Sequence, residues 1–187
     1  MLSKDAPLPD LARVVVVGCS CSGKSTFART LADRLDSVYV ELDSLFWLPG
    51  WIERGHEEFR CLVAEKAGGT HWVMDGNYRR ARDLFWPRAT TVIWLDFPFP
   101  LVMWRSLKRT ISRSVSGQEI CNGNRESWRK SFFSRDSILV WVLTSYGTVQ
   151  ERCRKLFAEN AYPNAAKIRM KTPAQAARFL GSVRAST

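Results

Sequence analysis

Residues 18–26, Gly-Cys-Ser-Cys-Ser-Gly-Lys-Ser-Thr, carry the pattern in this chain that is most closely tied to one chemistry. Two glycines separated by four residues and followed by Lys-Ser match the phosphate-binding loop G-x-x-x-x-G-K-[ST]. Gly18 and Gly23 allow a tight turn with no Cβ in the way, so successive backbone N–H groups point at an anion. We therefore predict that this segment binds ATP together with Mg²⁺.

Each side chain of the loop has an expected role. Lys24 is predicted to reach the β- and γ-phosphates, Ser25 to ligate Mg²⁺, and Thr26 to support the α-phosphate. Cys19 and Cys21 occupy variable positions, where they are either small fillers or redox-active thiols. The residues predicted to hold the nucleotide are Gly18, Ser20, Ser22, Gly23, Lys24, Ser25 and Thr26.

Two carboxylates follow apolar runs that are expected to be strands. Asp75 ends such a run and precedes Gly76, in the position where open α/β sheets bind ligands. It is predicted to hold Mg²⁺ through water, and the alternative is a simple Asp-Gly turn. Asp43 ends the second predicted strand and is expected to hydrogen-bond or deprotonate an acceptor hydroxyl. The alternative for Asp43 is a cap on the following turn.

Arginine recurs every four residues at Arg105, Arg109 and Arg113, which places the three side chains on one face of a predicted helix. No acidic residue interrupts this face. Phosphoryl transfer needs positive charge around the moving group, and arginine supplies it with planar donors. We predict catalytic roles for these arginines, and the alternative is a solvated surface stripe.

Strands and helices that would position these residues alternate along the chain. The β-branched run at 13–18 is typical of a strand covered on both faces of a parallel sheet. Further strands are predicted at 38–42, 71–75, 91–95 and 166–170. Helices are predicted at 24–35, 56–67, 101–113, 128–157 and 173–183, with a loop at 114–124. This alternation predicts an α/β fold with a five-stranded parallel sheet and helices on both faces.

Composition favours one ordinary globular unit. The 187 residues are 45% hydrophobic and 25% charged, and we predict a single domain over 1–187 with a short lid at about 113–127. No apolar run approaches the roughly 20 residues of a membrane span. The five cysteines show no pairing pattern and there is no apolar leader, so we expect a cytoplasmic protein with free thiols.

Among the eight tryptophans, Trp72, Trp94 and Trp104 lie in apolar stretches and are predicted to be core residues.

These motifs together resemble the nucleoside monophosphate kinase group of P-loop proteins, of which adenylate kinase is the type. Asp75-Gly76 followed by Arg79 or Arg80 resembles the group's Asp-Gly-x-x-Arg segment, whose arginine holds the acceptor's phosphate. The resemblance also implies that the loop containing Thr172 and Pro173 passes near the adenine.

A closer resemblance is to small bacterial adenylate-kinase-like proteins termed topology modulation proteins. It extends over about residues 13–181 and is carried by these segments: 42–51, 72–78, 124–127 and 134–137. It implies a five-stranded core with a short lid. Relative to adenylate kinase, this chain has Asn77-Tyr78 in place of Phe-Pro and a Trp-rich segment in place of the monophosphate-binding helices. We assign Asn77 and Trp51 to the acceptor pocket, where Trp47 and Trp51 either stack on a flat acceptor or close a small core.

Two functions fit these observations. The first is an ATP-dependent kinase of a nucleotide or another small molecule. The second is a nucleic-acid-associated regulatory ATPase, suggested by the 16 basic and five acidic side chains of residues 100–187. Arginines clustered at four-residue spacing suit a compact phosphate better than an extended groove. We therefore expect a kinase that binds nucleic acid only weakly and without sequence preference.

Overall fold

A parallel sheet whose middle strand carries the glycine-rich motif organises the chain. The computed structural model describes residues 8–116, 119–125, 138–158 and 162–183. The strands are β1 (Arg13–Gly18), β2 (Val38–Glu41), β3 (Trp47–Leu48), β4 (Ile52–Glu53), β5 (Trp72–Asp75), β6 (Thr91–Leu95), β7 (Glu119–Ile120), β8 (Asn124–Arg125) and β9 (Ala166–Met170). The α-helices are α1 (Lys24–Leu35), α2 (Leu42–Phe46), α3 (His56–Ala67), α4 (Arg82–Phe85), α5 (Phe99–Ser116), α6 (Ile138–Ala158) and α7 (Pro173–Ser182).

The main sheet has five parallel strands in the order β2-β5-β1-β6-β9. This confirms the predicted α/β fold with a five-stranded parallel sheet. Val14, Val15 and Val16 of β1 are fully buried because layers of side chains cover both faces of the strand. A strand that is buried on both faces favours a continuous β-branched run.

Helices cover both faces of the sheet, as predicted. On one face, Phe27 and Leu31 of α1 pack with Phe179 of α7 in a buried cluster. On the other face, Phe59 of α3 and Phe85 of α4 pack in a second cluster. Helix α6 contributes to both clusters, and α7 is held to α1 by the stacked rings of Phe27 and Phe179, whose centroids lie 6.3 Å apart.

Several predicted boundaries were wrong. The second strand ends at Glu41, and Leu42 begins a helix, so Asp43 lies in the first turn of α2 and not at a strand end. The predicted loop at 114–124 is instead the end of α5 followed by the β7-β8 hairpin, whose turn places Asn122 and Gly123 at positive φ. The predicted helix at 128–157 is confirmed from Ile138, and its earlier part lies outside the described residues, as do 117–118 and 126–127 of the predicted lid.

Trp104 is not a core residue, since 58% of it is exposed, whereas Trp72 and Trp94 are fully buried as predicted. Helix α5 buries the face formed by Val102, Ser106 and Thr110 at four-residue spacing. Trp104 is two positions from Val102 and therefore points away from the core.

Within the described ranges, no helix has both the length and the apolarity needed to cross a membrane.

Candidate active site

The phosphate loop leaves the carboxyl end of β1 and ends at the start of α1. Gly18 has φ +151°, and a Cβ on it would lie 2.8 Å from the Leu95 carbonyl oxygen, so no larger residue fits this close approach to β6. Gly23 has φ +92° and precedes the first residue of α1. This turn directs the free N–H groups of the α1 N-terminus toward the loop, which is the geometry that binds phosphate.

Three cationic side chains contact the loop. Lys24 Nζ donates to the Cys19 carbonyl oxygen at 3.0 Å. Arg105 Nη1 donates to the Ser22 carbonyl oxygen at 2.7 Å, and its guanidinium lies 5.2 Å from the centre of the Phe97 ring. Arg109 Nη1 lies 3.8 Å from Cys21 Sγ. Helix α5 therefore brings two of its three stripe arginines to the loop, while the Arg113 side chain lies outside the described part of the structure.

Ser22 is fully buried within the loop, and its hydroxyl has no hydrogen-bond partner among the described residues. Burial raises the pKa of the Cys19 thiol to about 11, while Lys24 opposes this shift. A protonated, buried thiol is a poor redox centre, which favours the filler interpretation of Cys19. Cys21 is half-buried and adopts a positive φ of 61°.

Asp75 is the buried carboxylate beneath the loop. It is the last residue of β5, next to β1, and only 3% of it is exposed. Burial raises its pKa to about 6, opposed by a hydrogen bond to Ser25 and by the Lys24 ammonium. The Tyr39 hydroxyl donates to Asp75 Oδ1 at 3.3 Å. Asp75 is therefore a buried member of the loop's own hydrogen-bond network, and more than a turn residue.

The donor set beside Asp75 fits Mg²⁺. The cation prefers hard oxygen ligands, and it commonly combines one or two protein oxygens with phosphate oxygens and water. The Ser25 hydroxyl and the Asp75 carboxylate supply such oxygens next to the phosphate loop. Among the described residues, no group of three or more His, Cys, Asp or Glu side chains comes together as a metal site built from protein alone.

Asn77 is tied to the phosphate loop. Its Nδ2 donates to the Gly18 carbonyl oxygen at 2.7 Å, and its Oδ1 accepts from the Gly18 N–H at 3.4 Å. This paired contact joins the segment after β5 to the first residue of the loop. The Asn77 side chain therefore orients the loop, a position that the sequence-based assignment to the acceptor pocket did not anticipate.

The other acceptor-side residues form a second group near α2. The Tyr78 hydroxyl donates to Asp43 Oδ1 at 2.7 Å. Arg80 pairs with Glu53 at 3.1 Å and lies over the Phe46 ring. Arg79 is exposed and has no hydrogen-bond or ion-pair partner among the described residues. Of the two arginines predicted to hold the acceptor, Arg79 is therefore accessible, whereas Arg80 is already paired with Glu53.

The Trp-rich segment forms the β3-β4 hairpin, whose turn holds Trp51 at φ 60°. The rings of Trp47 and Trp51 meet edge to face at 5.7 Å, and Trp51 is 42% exposed. The predicted lid contacts this hairpin, because Asn124 accepts from the Trp51 N–H at 2.8 Å and donates to the Leu48 carbonyl at 3.0 Å. Asn122 donates to the Ser44 carbonyl at 2.8 Å.

Sequence reasoning missed the Asn122 and Asn124 contacts. The signal for them was weak, since it consisted only of two asparagines flanking Gly123 in a polar segment. Tyr39 and Tyr78 were also missed as partners of the two carboxylates, because neither contact follows from sequence spacing.

Thr172 and Pro173 begin α7. The Thr172 side chain accepts from the Gln175 N–H at 3.2 Å, and Gln175 Oε1 accepts from the Lys171 N–H at 2.6 Å, so the two side chains form a reciprocal helix cap. Thr172 and Pro173 are both exposed. Helix α7 packs on α1, which carries the loop, and the proposed adenine contact at Thr172 and Pro173 remains a prediction.

Comparisons with known proteins give likenesses to solved structures only. No family model matches the chain, and a search of curated proteins finds no match. An unliganded sugar kinase from a Janibacter species is 21% identical over 92% of this chain and 94% of that chain, with a TM-score of 0.48. A gluconokinase from Sinorhizobium meliloti is 15% identical over 91% of this chain and 89% of that chain, with a TM-score of 0.50. The second likeness supports the α/β fold with a five-stranded parallel sheet.

The raised pKa of Asp75 predicts a pH-dependent stability difference in the ligand-free protein. Between the ordinary carboxyl pKa of about 4 and the folded value of about 6, the folded state retains a proton that the unfolded state has lost. This group therefore lowers stability as the pH rises through that window. Asp75→Asn should raise the free energy of unfolding by about 1–3 kcal/mol at pH 8 and by less at pH 5.

Urea unfolding at the two pH values measures this difference. Asp33→Asn, which alters an exposed carboxylate on α1, is the matched control and should leave stability nearly unchanged. A stabilisation by Asp75→Asn that is equal at pH 5 and pH 8, or no stabilisation at all, would contradict the assigned environment.

Proposed function

We propose that this chain is an ATP-dependent phosphotransferase that moves the γ-phosphoryl group of ATP to a small acceptor. The observation that carries the proposal is the convergence of Lys24, Arg105 and Arg109 on one glycine-rich loop, with the Asp75 carboxylate buried beside it. A loop that only bound a nucleotide would not need additional arginines from a distant helix. Positive charge around the transferring group is what phosphoryl transfer requires.

The side chains of the loop have distinct roles in this proposal. Lys24 exchanges its contact with the Cys19 carbonyl for phosphate oxygens when ATP binds. Arg105 and Arg109 are held close enough to stabilise charge on the transferring group. Ser25 and Asp75 would hold Mg²⁺, directly and through water, and the cation would neutralise charge on the β- and γ-phosphates. Thr172 and Pro173 are assigned to the adenine side.

We assign the acceptor to the part of this sheet edge that is formed by α2 and the segment after β5. Asp43, which accepts from Tyr78, is available to accept a hydrogen bond from an acceptor hydroxyl. The contacts of Asn122 and Asn124 with the Trp-rich hairpin support a lid that excludes water from this side. Exclusion of water favours transfer to the acceptor over hydrolysis.

We further infer that the protein is a small bacterial adenylate-kinase-like protein of the topology modulation type and acts in the cytoplasm. The resemblance along 42–51 and 72–78 supports the first inference, and the free Cys19 and Cys153 thiols are compatible with the second. A gluconokinase has the same fold, so hydroxylated metabolites belong among the candidate acceptors beside nucleotides.

The nucleic-acid alternative receives less support. Among the described cations after residue 100, Arg105 and Arg109 are directed at the loop, Arg169 pairs with Asp96, and Lys155 pairs with Glu151. The basic excess is therefore partly used within the molecule. A nucleic-acid groove would instead present these charges along one continuous face.

A phosphoryl-transfer screen tests the proposal. Purified protein is incubated with ATP, Mg²⁺ and nucleoside monophosphates, nucleosides, sugars or sugar acids, and ADP formation is compared with and without each acceptor. Lys24→Ala should lower acceptor-dependent turnover by at least about 10²-fold, because the Lys24 charge on the β- and γ-phosphates is lost. Lys66→Ala, an exposed lysine on α3, is the control and should retain full activity. Near-normal turnover by folded Lys24→Ala would refute the proposal.

Arg109 tests the contribution of α5. Interactions made mainly in the transition state lower kcat when they are removed, whereas uniform binding contacts raise KM. Arg109→Ala should lower kcat by about 10²-fold with a smaller effect on ATP affinity. Arg109→Lys should restore little, because a point charge cannot replace a planar fork. Lys108→Ala on the same helix is the control, and a wild-type kcat for Arg109→Ala would remove Arg109 from the catalytic site.

A further inference from the structure

Tyr39 is a polar residue on the sheet face that α1 covers. In β2 it lies two positions before Glu41, which is paired with Asp75 of β5. Paired residues of neighbouring strands point to the same face, and so do alternate residues of one strand. Tyr39 and Asp75 therefore share a face, and Tyr39 packs against the buried cluster that contains Phe27 of α1. Helix α1, with Ser25 in its first turn, lies on this face.

The Tyr39 hydroxyl contacts both residues of the candidate metal site. It donates to Asp75 Oδ1 at 3.3 Å. It is also hydrogen-bonded to Ser25, which is in turn hydrogen-bonded to Asp75. Because Asp75 is buried away from water, its carboxylate depends on such contacts for hydrogen bonding. One tyrosine hydroxyl thus joins the serine and the carboxylate that would hold the cation.

The Tyr39 side chain is held as a donor. It is half-buried, and the Arg29 guanidinium, one helical turn after Ser25, lies 5.2 Å from the centre of its ring. Burial raises the pKa of Tyr39, and the charges of Asp75 and Glu41 raise it further. The hydroxyl therefore keeps its proton at neutral pH. A hydroxyl held in this way restricts the carboxylate that accepts from it.

We propose that Tyr39 is a positioning residue that orients the Asp75 carboxylate, and with it Ser25, for the Mg²⁺ that accompanies ATP. The inference rests on the proposed function, because the cation concerned is the one that the nucleotide brings. Carboxylates that serve a metal are themselves hydrogen-bonded, and these outer partners orient the groups that hold the metal. Tyr39 acts through Asp75 and Ser25 and is not itself a ligand.

The contribution of the cation to nucleotide binding can be measured without turnover. AMP-PNP is titrated by calorimetry into the whole chain, once in EDTA and once in excess Mg²⁺. The ratio of the two affinities equals the factor by which the protein tightens the binding of Mg²⁺ to the nucleotide. Tyr39→Phe removes only the hydroxyl. Tyr162→Phe is the matched control, since Tyr162 is also half-buried but precedes β9, toward the opposite end of the strands from the loop.

Mg²⁺ should tighten the binding of AMP-PNP to wild type. Tyr39→Phe should lower this affinity ratio by about tenfold, because the loss of an outer hydrogen-bond partner weakens metal binding by about that much. Its affinity in EDTA should stay at the wild-type level, and Tyr162→Phe should match wild type in both conditions. An unchanged ratio for Tyr39→Phe, or no tightening of wild type by Mg²⁺, would overturn the proposal.

The Asp75→Asn background separates positioning from packing. If Tyr39 acts through the Asp75 carboxylate, Tyr39→Phe should have little further effect on the affinity ratio once that carboxylate is an amide. A residue that only supported the packing of the sheet face would lower the ratio equally in both backgrounds. Equal effects would therefore refute the positioning role even if Tyr39→Phe alone weakens metal binding.

The same titrations distinguish this proposal from the proposed function. If wild type binds AMP-PNP and the affinity ratio of Tyr39→Phe equals that of wild type, only the role of Tyr39 fails. If wild type binds AMP-PNP neither in EDTA nor in Mg²⁺, the proposed function fails, and the role of Tyr39 fails with it.

Discussion

The close approach of Gly18 to the Leu95 carbonyl is the constraint on which the rest of the site depends. It fixes the end of β1 against β6, and the loop that follows leads to the N-terminus of α1. Because β1 is the middle strand, the carboxyl ends of β5 and β6 lie on either side of the loop. The buried Asp75 and the loop therefore share one sheet edge, where parallel α/β sheets bind their ligands.

The charges at this edge are arranged for an anion that brings its own counterion. Lys24, Arg105 and Arg109 contact carbonyl oxygens or a sulfur of the loop. These partners are uncharged, and anionic phosphate oxygens would displace them because a hydrogen bond between two charged groups is stronger. Asp75 is costly to ionise in its buried position, and a bound cation would remove that cost. The fold thus places cations and one carboxylate that is costly to ionise beside the loop, and a phosphate–metal complex would pair with both.

The part of this arrangement that could be predicted from the sequence is the part encoded locally. The β-branched run in β1, the glycine spacing of the loop and the amphipathic α1 each show their structure within about ten residues, and all were predicted correctly. The apolar stretch that contains Trp104 was misleading, because an uninterrupted apolar run does not indicate which helix face is buried. The short α2, which contains Asp43, has too few residues for a periodic pattern to appear.

Contacts between distant residues could not be predicted in this way. Asn77 joins Gly18 across 59 residues, and Asn124 joins the Trp-rich hairpin across more than 70. Such pairs depend on the order of strands in the sheet and on loop lengths, neither of which spacing along the chain determines. Arg82 and Arg152 line one small pocket for the same reason, because α6 packs beside β1.

The central claim is that the loop at 18–26 recognises the β- and γ-phosphates of a nucleoside triphosphate. Calorimetric titration of the wild-type protein with ATP, ADP and AMP, each with Mg²⁺, tests this claim most directly. Charge-assisted contacts of Lys24 and the loop N–H groups with the β-phosphate should make ATP and ADP bind at least about 100-fold more tightly than AMP. Equal affinity for AMP and ATP, or no measurable binding of ATP, would contradict the account.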